Sequence, residues 1–197
     1  MASRDDILER LQQHQLADVP HPGDFSQGVI YDDLVSQFMA TLEEVGGRGE
    51  IVSSRAAATA VLDAIPEYAS AAKTCSLVSG VGRSTFELSA ITDPHDLEDV
   101  DFAVLPGDLA VAENAAVWVT AEEVCHQTLH FLVQHLALVV PRDRVVSNLH
   151  QAYAQVDVGR TSFATWISGP SKTADIEQSL VKGAHGARTL TVLLIEE

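Results

Sequence analysis

The stretch from Trp166 to Gly186, WISGPSKTADIEQSLVKGAHG, joins three local signals in one place. A short apolar run from Phe163 to Ile167 leads into the polar turn Ser168-Gly169-Pro170-Ser171. Ile176, Leu180 and Val181 then share one face at helical spacing, which predicts a helix from Lys172 to Lys182. Gly169 and Pro170 supply the turn, and Ser171 is placed to cap the helix. Thr173, Asp175 and Glu177 bring hydroxyl and acidic groups into its first turns, where the helix dipole favours them, and Gly183 stands where a left-handed helix end would. Strand, tight turn and helix in that order belong to an α/β fold. The free N–H groups of such a helix start form an anion site, to which Ser171, Lys172 and Thr173 add side-chain donors. The same parts also make an ordinary capped helix.

Residue by residue, Ser168, Gly169, Pro170, Ser171, Thr173, Ala174, Asp175, Ile176, Glu177, Gly183, His185 and Gly186 follow the pattern SGPS-TADIE...G-HG. Upstream, Gly107-Asp108-Leu109-Ala110-Val111-Ala112-Glu113-Asn114-Ala115-Ala116 resembles a G-D-AIAETGT stretch, with Asn114 and Ala115 where Thr and Gly are usual. On these two segments the chain resembles the LUD domain family, the lactate utilization proteins, and its C branch most of all. The resemblance runs from about Asp101 to Glu197. It implies an open, mainly parallel α/β sheet flanked by helices, similar to the sugar-isomerase and CoA-transferase-like (NagB/RpiA) fold. It also implies a part in the oxidation of L-lactate to pyruvate beside iron-sulfur partner subunits resembling lactate utilization proteins A and B. His185 gains a functional reading from the resemblance.

Working outward, strand and helix patterns alternate as in a parallel sheet. Ile7, Leu8, Leu11 and Leu16 predict a helical arm from Arg4 to Leu16 that packs on the body or on a partner. Leu34, Val35, Phe38, Met39 and Leu42 predict a helix from Tyr31 to Val45, stopped by Gly46-Gly47. A strand from Glu50 to Ser53, an alanine-rich helix from Arg55 to Ile65 and a strand from Thr74 to Val78 follow. Beyond Pro94, strands are predicted at Val100 to Leu105, Leu109 to Ala112 and Ala116 to Thr120, the last two as a hairpin. His135 to Val140 and Thr189 to Ile195 read as buried strands, and Arg142 to Val156 as a helix. A helical N-terminal extension over 1–48 and a LUD-like α/β domain over 49–197 result.

Composition narrows the function. No apolar run reaches the roughly 18 residues that span a bilayer, and the N-terminus lacks a signal-peptide core, so a cytoplasmic protein without a membrane span is expected. A net charge of −16, with three Lys and nine Arg, argues against a phosphate-backbone grip on nucleic acid. Arg83, Lys172 and Arg188 could serve an anionic ligand if folding gathers them. Two cysteines, Cys75 and Cys125, make neither a disulfide framework nor a cluster site, so no cofactor is expected in this chain and redox centres would lie in its partners.

Three further constellations bear on chemistry. Glu113 lies in a turn between apolar strands, where a carboxylate with a perturbed pKa would serve as base or nucleophile, as in the Glu-Asn-Gly turn of CoA-transferases; here the third residue is Ala115, and a structural turn carboxylate is the competing reading. Cys125, His126, His130 and His135 cluster, with His126 and His130 four apart, but no HExxH forms and no metal is assigned. Gly80-Val81-Gly82-Arg83-Ser84-Thr85 follows a strand like a phosphate loop but lacks both a third glycine and a Gly-Lys pair. The candidate ligand contacts are therefore Ser168, Gly169, Ser171, Lys172, Thr173, Asp175 and His185, with Gly80 and Gly82 as loop contacts and Glu113 as the candidate catalytic residue. The expected role is a non-redox subunit binding a small anionic metabolite. The alternatives are a stand-alone CoA-transferase-like or folate cyclo-ligase-like enzyme using Glu113, and a small-molecule sensor module.

Overall fold

Asp33 and Ser54 each start a helix. The Asp33 carboxylate accepts the N–H of Ser36 at 3.0 Å, and the Ser54 hydroxyl accepts that of Ala57 at 3.2 Å. The computed structural model describes residues 3–13, 20, 23, 28–122, 124–173 and 181–196. Its first elements are α1 (Arg4–Gln13), α2 (Leu34–Glu44), β1 (Arg48–Val52), α3 (Arg55–Asp63), α4 (Pro66–Ala69), β2 (Thr74–Ser76), β3 (Phe102–Pro106), β4 (Leu109–Val111) and β5 (Ala116–Thr120). Then come α5 (Leu129–Leu132), β6 (His135–Pro141), β7 (Val145–Val146), α6 (Leu149–Tyr153), β8 (Ala164–Ser168), β9 (Lys172–Thr173), β10 (Val181–Lys182) and β11 (Thr189–Ile195).

The described residues form a five-stranded, all-parallel sheet in the order β1-β11-β6-β3-β2. The chain crosses it once, from β1 to β2 through α3 and α4, and returns strand by strand. A four-stranded mixed sheet, β7-β4-β5-β8, covers the other face. The protein is thus an α/β structure with a mainly parallel central sheet flanked by helices, with the mixed sheet as an added layer.

Side-chain alternation sets these layers. Ala103, Leu105, Leu136, Leu138, Val140, Leu190, Val192 and Leu194 face the central core together with Val117 and Val119 of the mixed sheet. Their neighbours Phe102, Val104, Ala137, Val139, Leu193 and Ile195 face α3 and α4, where Ala58, Leu62 and Tyr68 are buried. A one-residue slip of β6 would exchange these two sets, so burial on both faces pins the register. Phe38 and Leu42 of α2 are fully buried in the central core. The Thr41 hydroxyl of α2 donates to the Ala112 carbonyl at 3.1 Å. On the outer side of the mixed sheet, Trp118 stands opposite Trp166 in register, their rings 4.7 Å apart, under α6.

The arm α1 buries no residue, and Ile7, Leu8 and Leu11 are exposed, so of the two surfaces expected for it, body and partner, it does not cover the body. Two other sequence expectations are corrected. The stretch Arg142 to Val156 is not one helix. A 3-10 turn at Arg142–Arg144 leads into β7, whose β-branched Val145 and Val146 pair with Ala110 and Val111, and only then does Asn148 cap α6 through the N–H of Gln151. The predicted helix from Lys172 to Lys182 is replaced at both ends by a two-stranded ribbon in which Val181 pairs with Thr173 and Lys182 with Lys172. A helix would hold Thr173 and Val181 about 12 Å apart along its axis, which excludes that pairing. Residues 174–180, including Asp175, lie outside the described residues.

Candidate functional site

The signature turn closes one wall of a cavity of about 350 Å³. β8 delivers Trp166, Ile167 and Ser168; the chain turns at Gly169-Pro170 and returns through Ser171, Lys172 and Thr173; His185, Gly186 and Ala187 approach from the other arm of the ribbon. The floor is Leu136 and Leu190, the second residues of β6 and β11, and α5 contributes His130 and Phe131. The cavity therefore opens at the amino ends of the parallel strands.

Backbone pairing shapes this turn. Gly169 adopts φ +68°, and a Cβ there would meet the Val45 carbonyl oxygen at 2.7 Å, so the position takes glycine for both conformation and space. The Ser171 N–H donates to the Ala187 carbonyl at 2.8 Å, and the Gly183 N–H donates to the Ser171 carbonyl at 3.1 Å. The anion site expected from free N–H groups at a helix start is thus absent at Ser171. In its place the walls carry side chains: Lys172, whose ammonium lies beside Gly46 and has no ion-pair partner among the described residues, His185 and His130.

His130 is 2% exposed. Its Nδ1 lies 3.1 Å from the Gln127 carbonyl, and its Nε2 has no hydrogen-bond partner among the described residues. Burial pushes its pKa below the ordinary histidine value, against the Gln127 carbonyl, which raises it. The other members of the Cys/His cluster are dispersed. His126 Nε2 meets the Ile91 carbonyl at 3.0 Å, His135 Nδ1 meets the Thr189 hydroxyl at 2.9 Å, and Cys125 is exposed. Among the described residues no group of three His, Cys, Asp or Glu could hold a metal ion.

The remaining candidates lie elsewhere. Glu113 is not a wall of the cavity; its Oε1 accepts the N–H of Leu149 at 3.1 Å, at the start of α6. Gly80 and Gly82 follow β2 and pack against α3, Gly80 beside Arg55 and Gly82 beside Leu62 and Val104, and neither lines the cavity. The loop's N–H groups are spent internally: that of Gly82 on the Thr59 hydroxyl at 3.0 Å, that of Arg83 on the Tyr68 hydroxyl at 2.6 Å. Arg83 stacks on the Tyr68 ring, and Arg188 packs beside Gly183, so folding does not bring Arg83, Lys172 and Arg188 to one ligand.

A second crevice, about 450 Å³, lies at the carboxyl ends, between Arg55, Val78, Gly107, Asp108 and Arg144. Its arginines are engaged, Arg55 with the Ser79 carbonyl at 2.7 Å and Arg144 with the Asp108 carbonyl at 3.3 Å and the Gln155 amide oxygen at 3.2 Å. The cavity at the amino ends, lined by a lysine without an ion-pair partner among the described residues and by two histidines, is the better candidate ligand site. Reading the sequence missed His130 as a wall of this cavity. Its only signal was the spacing to His126, which suggested a metal rather than a pocket.

Fold and cavity define an α/β domain with a candidate ligand cavity at the amino ends of its parallel sheet. The LUD domain model matches residues 93–195, just over half of the chain, and the chain belongs to the LUD domain family. Lactate utilization protein C of Geobacillus thermodenitrificans is 29% identical over 106 residues, covering 51% of this chain and 44% of that protein. Lactate utilization protein C of Bacillus pumilus is 30% identical over 106 residues, with the same coverage. The chain thus spans less than half the length of these relatives. A crystal structure of a DUF162 family protein from Deinococcus radiodurans shares the fold, with a TM-score of 0.57 over 82% of this chain and 96% of that one at 17% identity. No helix among the described residues is long and apolar enough to cross a membrane.

Proposed function

We propose that this chain acts as a lactate utilization protein C-like subunit in the oxidation of L-lactate to pyruvate, and that its cavity holds a small anionic metabolite. The names of the similar proteins support the first half. The observation that carries the second is Lys172: in a chain of net charge −16, a lysine that lines the cavity and has no ion-pair partner among the described residues favours an anion there. The two electrons released by the oxidation pass to iron-sulfur partner subunits resembling lactate utilization proteins A and B, because a cluster needs more thiolates than Cys75 and Cys125. Glu113 serves this scheme as a helix-capping carboxylate rather than as a nucleophile.

Two measurements test the proposal. L-Lactate or pyruvate should raise the thermal midpoint of the purified chain, and Lys172→Ala should weaken that binding by up to about tenfold, the lysine being exposed. The tagged chain, captured from cells oxidising lactate, should bring iron-sulfur proteins with it. A chain that is captured alone and shifts with neither ligand refutes the reading.

A further inference from the structure

The two edges of the parallel sheet are finished differently. At β2 the chain closes its own edge: the Thr85 N–H donates to the Thr74 carbonyl at 2.9 Å, and the Ser84 hydroxyl accepts the N–H of Ser76 at 2.9 Å. At the opposite edge, β1 pairs with β11 on one side and, among the described residues, with no strand on the other. The Val52 carbonyl accepts the N–H of Glu196, just past β11, so the peptide groups of Val52, Glu50 and Arg48 turn inward to the ladder. Those of Gly49 and Ile51 turn outward, to the open edge. Side chains alternate too. Gly49 faces α2, where an added Cβ would run into the Met39 sulfur, whereas Arg48 and Glu50 share the other face, 3.6 Å apart and each about half exposed. A groove of about 540 Å³ follows the edge between Met39 and Ala40 of α2 and the outer side of Gly49 and Ile51, and Ile51 is 46% exposed. Open peptide groups beside apolar surface are a template for another strand.

We propose that this strand is β1 of a second copy, added antiparallel about a two-fold axis through Gly49, so that two five-stranded sheets join into one. Charge selects the register. Side-chain direction repeats every two residues, so facing residues must share a face and the axis must pass through a residue. An axis through Arg48 sets arginine against arginine, and one through Glu50 sets glutamate against glutamate. Through Ile51, Glu50 meets the partner's Val52, and neither charge finds its opposite. Only through Gly49 does each Arg48 face the partner's Glu50. The outward peptide groups of Gly49 then bond to those of Gly49 of the partner subunit. The Arg48 and Glu50 pairs fall at non-hydrogen-bonded positions, where Cα atoms approach to about 4.5 Å and side chains are closest. Together with the contact inside each strand, four alternating charges close into a ring. On the α2 face, Ile51 lies opposite the partner's Gly47, which has no side chain to displace it. Glu43 also lines the groove, but it stands one turn of α2 from Met39, so the two copies of this carboxylate lie on opposite sides of the axis.

Sedimentation velocity of the purified chain, over a concentration series up to about 100 µM, tests this. The 21.1 kDa chain should sediment as a dimer. Arg48→Glu and Glu50→Arg, both at exposed side chains, should each weaken dimerisation by about tenfold, because each sets two like-charged pairs across the axis. Mixed in equal amounts, the two variants should regain the wild-type affinity, since the reversed charges then face each other. A chain carrying both substitutions should likewise dimerise as the parent does. Neither recovery is expected from a loss of folding or from the contact inside one strand. A chain that stays at monomer mass throughout the series overturns the proposal and leaves the edge to a strand of another protein. A dimer indifferent to both single substitutions overturns it by placing the contact on another surface. A mixture that associates no more tightly than either variant alone overturns the Gly49 register, and the proposal with it.

Discussion

The Ser168 hydroxyl donates to the Asn114 carbonyl at 2.6 Å, and so joins the two segments on which the family resemblance rests. Their strands pair directly, Ser168 opposite Ala116 and Ile167 opposite Val117. The upstream segment therefore serves as a support on which the turn of the cavity wall is built. Ser168→Ala leaves the Asn114 carbonyl without this partner and should lower stability by about 1 kcal/mol, read from urea unfolding. An unchanged midpoint would show that water replaces the hydroxyl at no cost.

Ala115 has φ +54° and is fully buried, a conformation that an L-residue with a side chain rarely adopts. It stands where the resembling stretch has glycine. Relief of the left-handed strain, about 1–2 kcal/mol, opposes the loss of a buried methyl, about 0.8 kcal/mol, and the added freedom of the unfolded chain, about 0.5–1 kcal/mol. Ala115→Gly should therefore fall within about 1 kcal/mol of neutral. Ala115→Val, branched and oversized at the same φ, should cost about 3 kcal/mol or more. Equal losses for the two variants in chemical denaturation would disprove the strain.

Gly169→Ala combines a positive φ with a Cβ at 2.7 Å from backbone, the Val45 carbonyl oxygen at the end of α2. Backbone cannot swing aside as a flexible side chain does, so a loss of about 2–4 kcal/mol is expected. Because the clash displaces the cavity wall from α2, affinity for L-lactate should fall as well. A variant as stable as the parent would mean that the turn does not pack on Val45.

Burial lowers the pKa of both His130 and His135 from the ordinary value of 6.5. Below that pH the unfolded chain takes up protons that the folded chain refuses. The stability is fully present above about pH 6.5 and is lost as pH falls from there toward the lowered folded values. His95, held by Asp93, is shifted upward and works in the opposite direction, but it is fully exposed and solvent screens it. Urea midpoints should be level from about pH 8 to 7 and decline by pH 5.5, and His130→Phe should flatten that decline. A midpoint that rises on acidification across this window contradicts the assignment.

Periodicity was legible wherever burial was its cause. β3, β6 and β11 read as apolar runs because both their faces are covered, and α2 read as a stripe because only Phe38 and Leu42 with their neighbours turn inward. The hairpin of β4 and β5 was equally plain, since Glu113 and Asn114 interrupt two such runs. Short elements were not legible. β7 is two valines inside a helical pattern, and β9 and β10 are two residues each, too few for any period to register. Their conformation comes from partners distant in sequence, Ala110 and Val111 for β7 and each other for β9 and β10.

The amino-acid sequence alone determined the α/β class, the family and the residues of the signature turn, because these depend on local propensity and on residue types in a row. Only the tertiary structure decided what that turn does. It set the turn against the amino ends of β6 and β11, spent the backbone donors of Ser171 and Gly183 on pairing, and left the donor chemistry of the cavity to Lys172. It also brought in His130 from α5 and gave its Nε2 no partner among the described residues. A hydrogen-bond vacancy arises from what surrounds an atom in three dimensions, and no spacing along the chain encodes it.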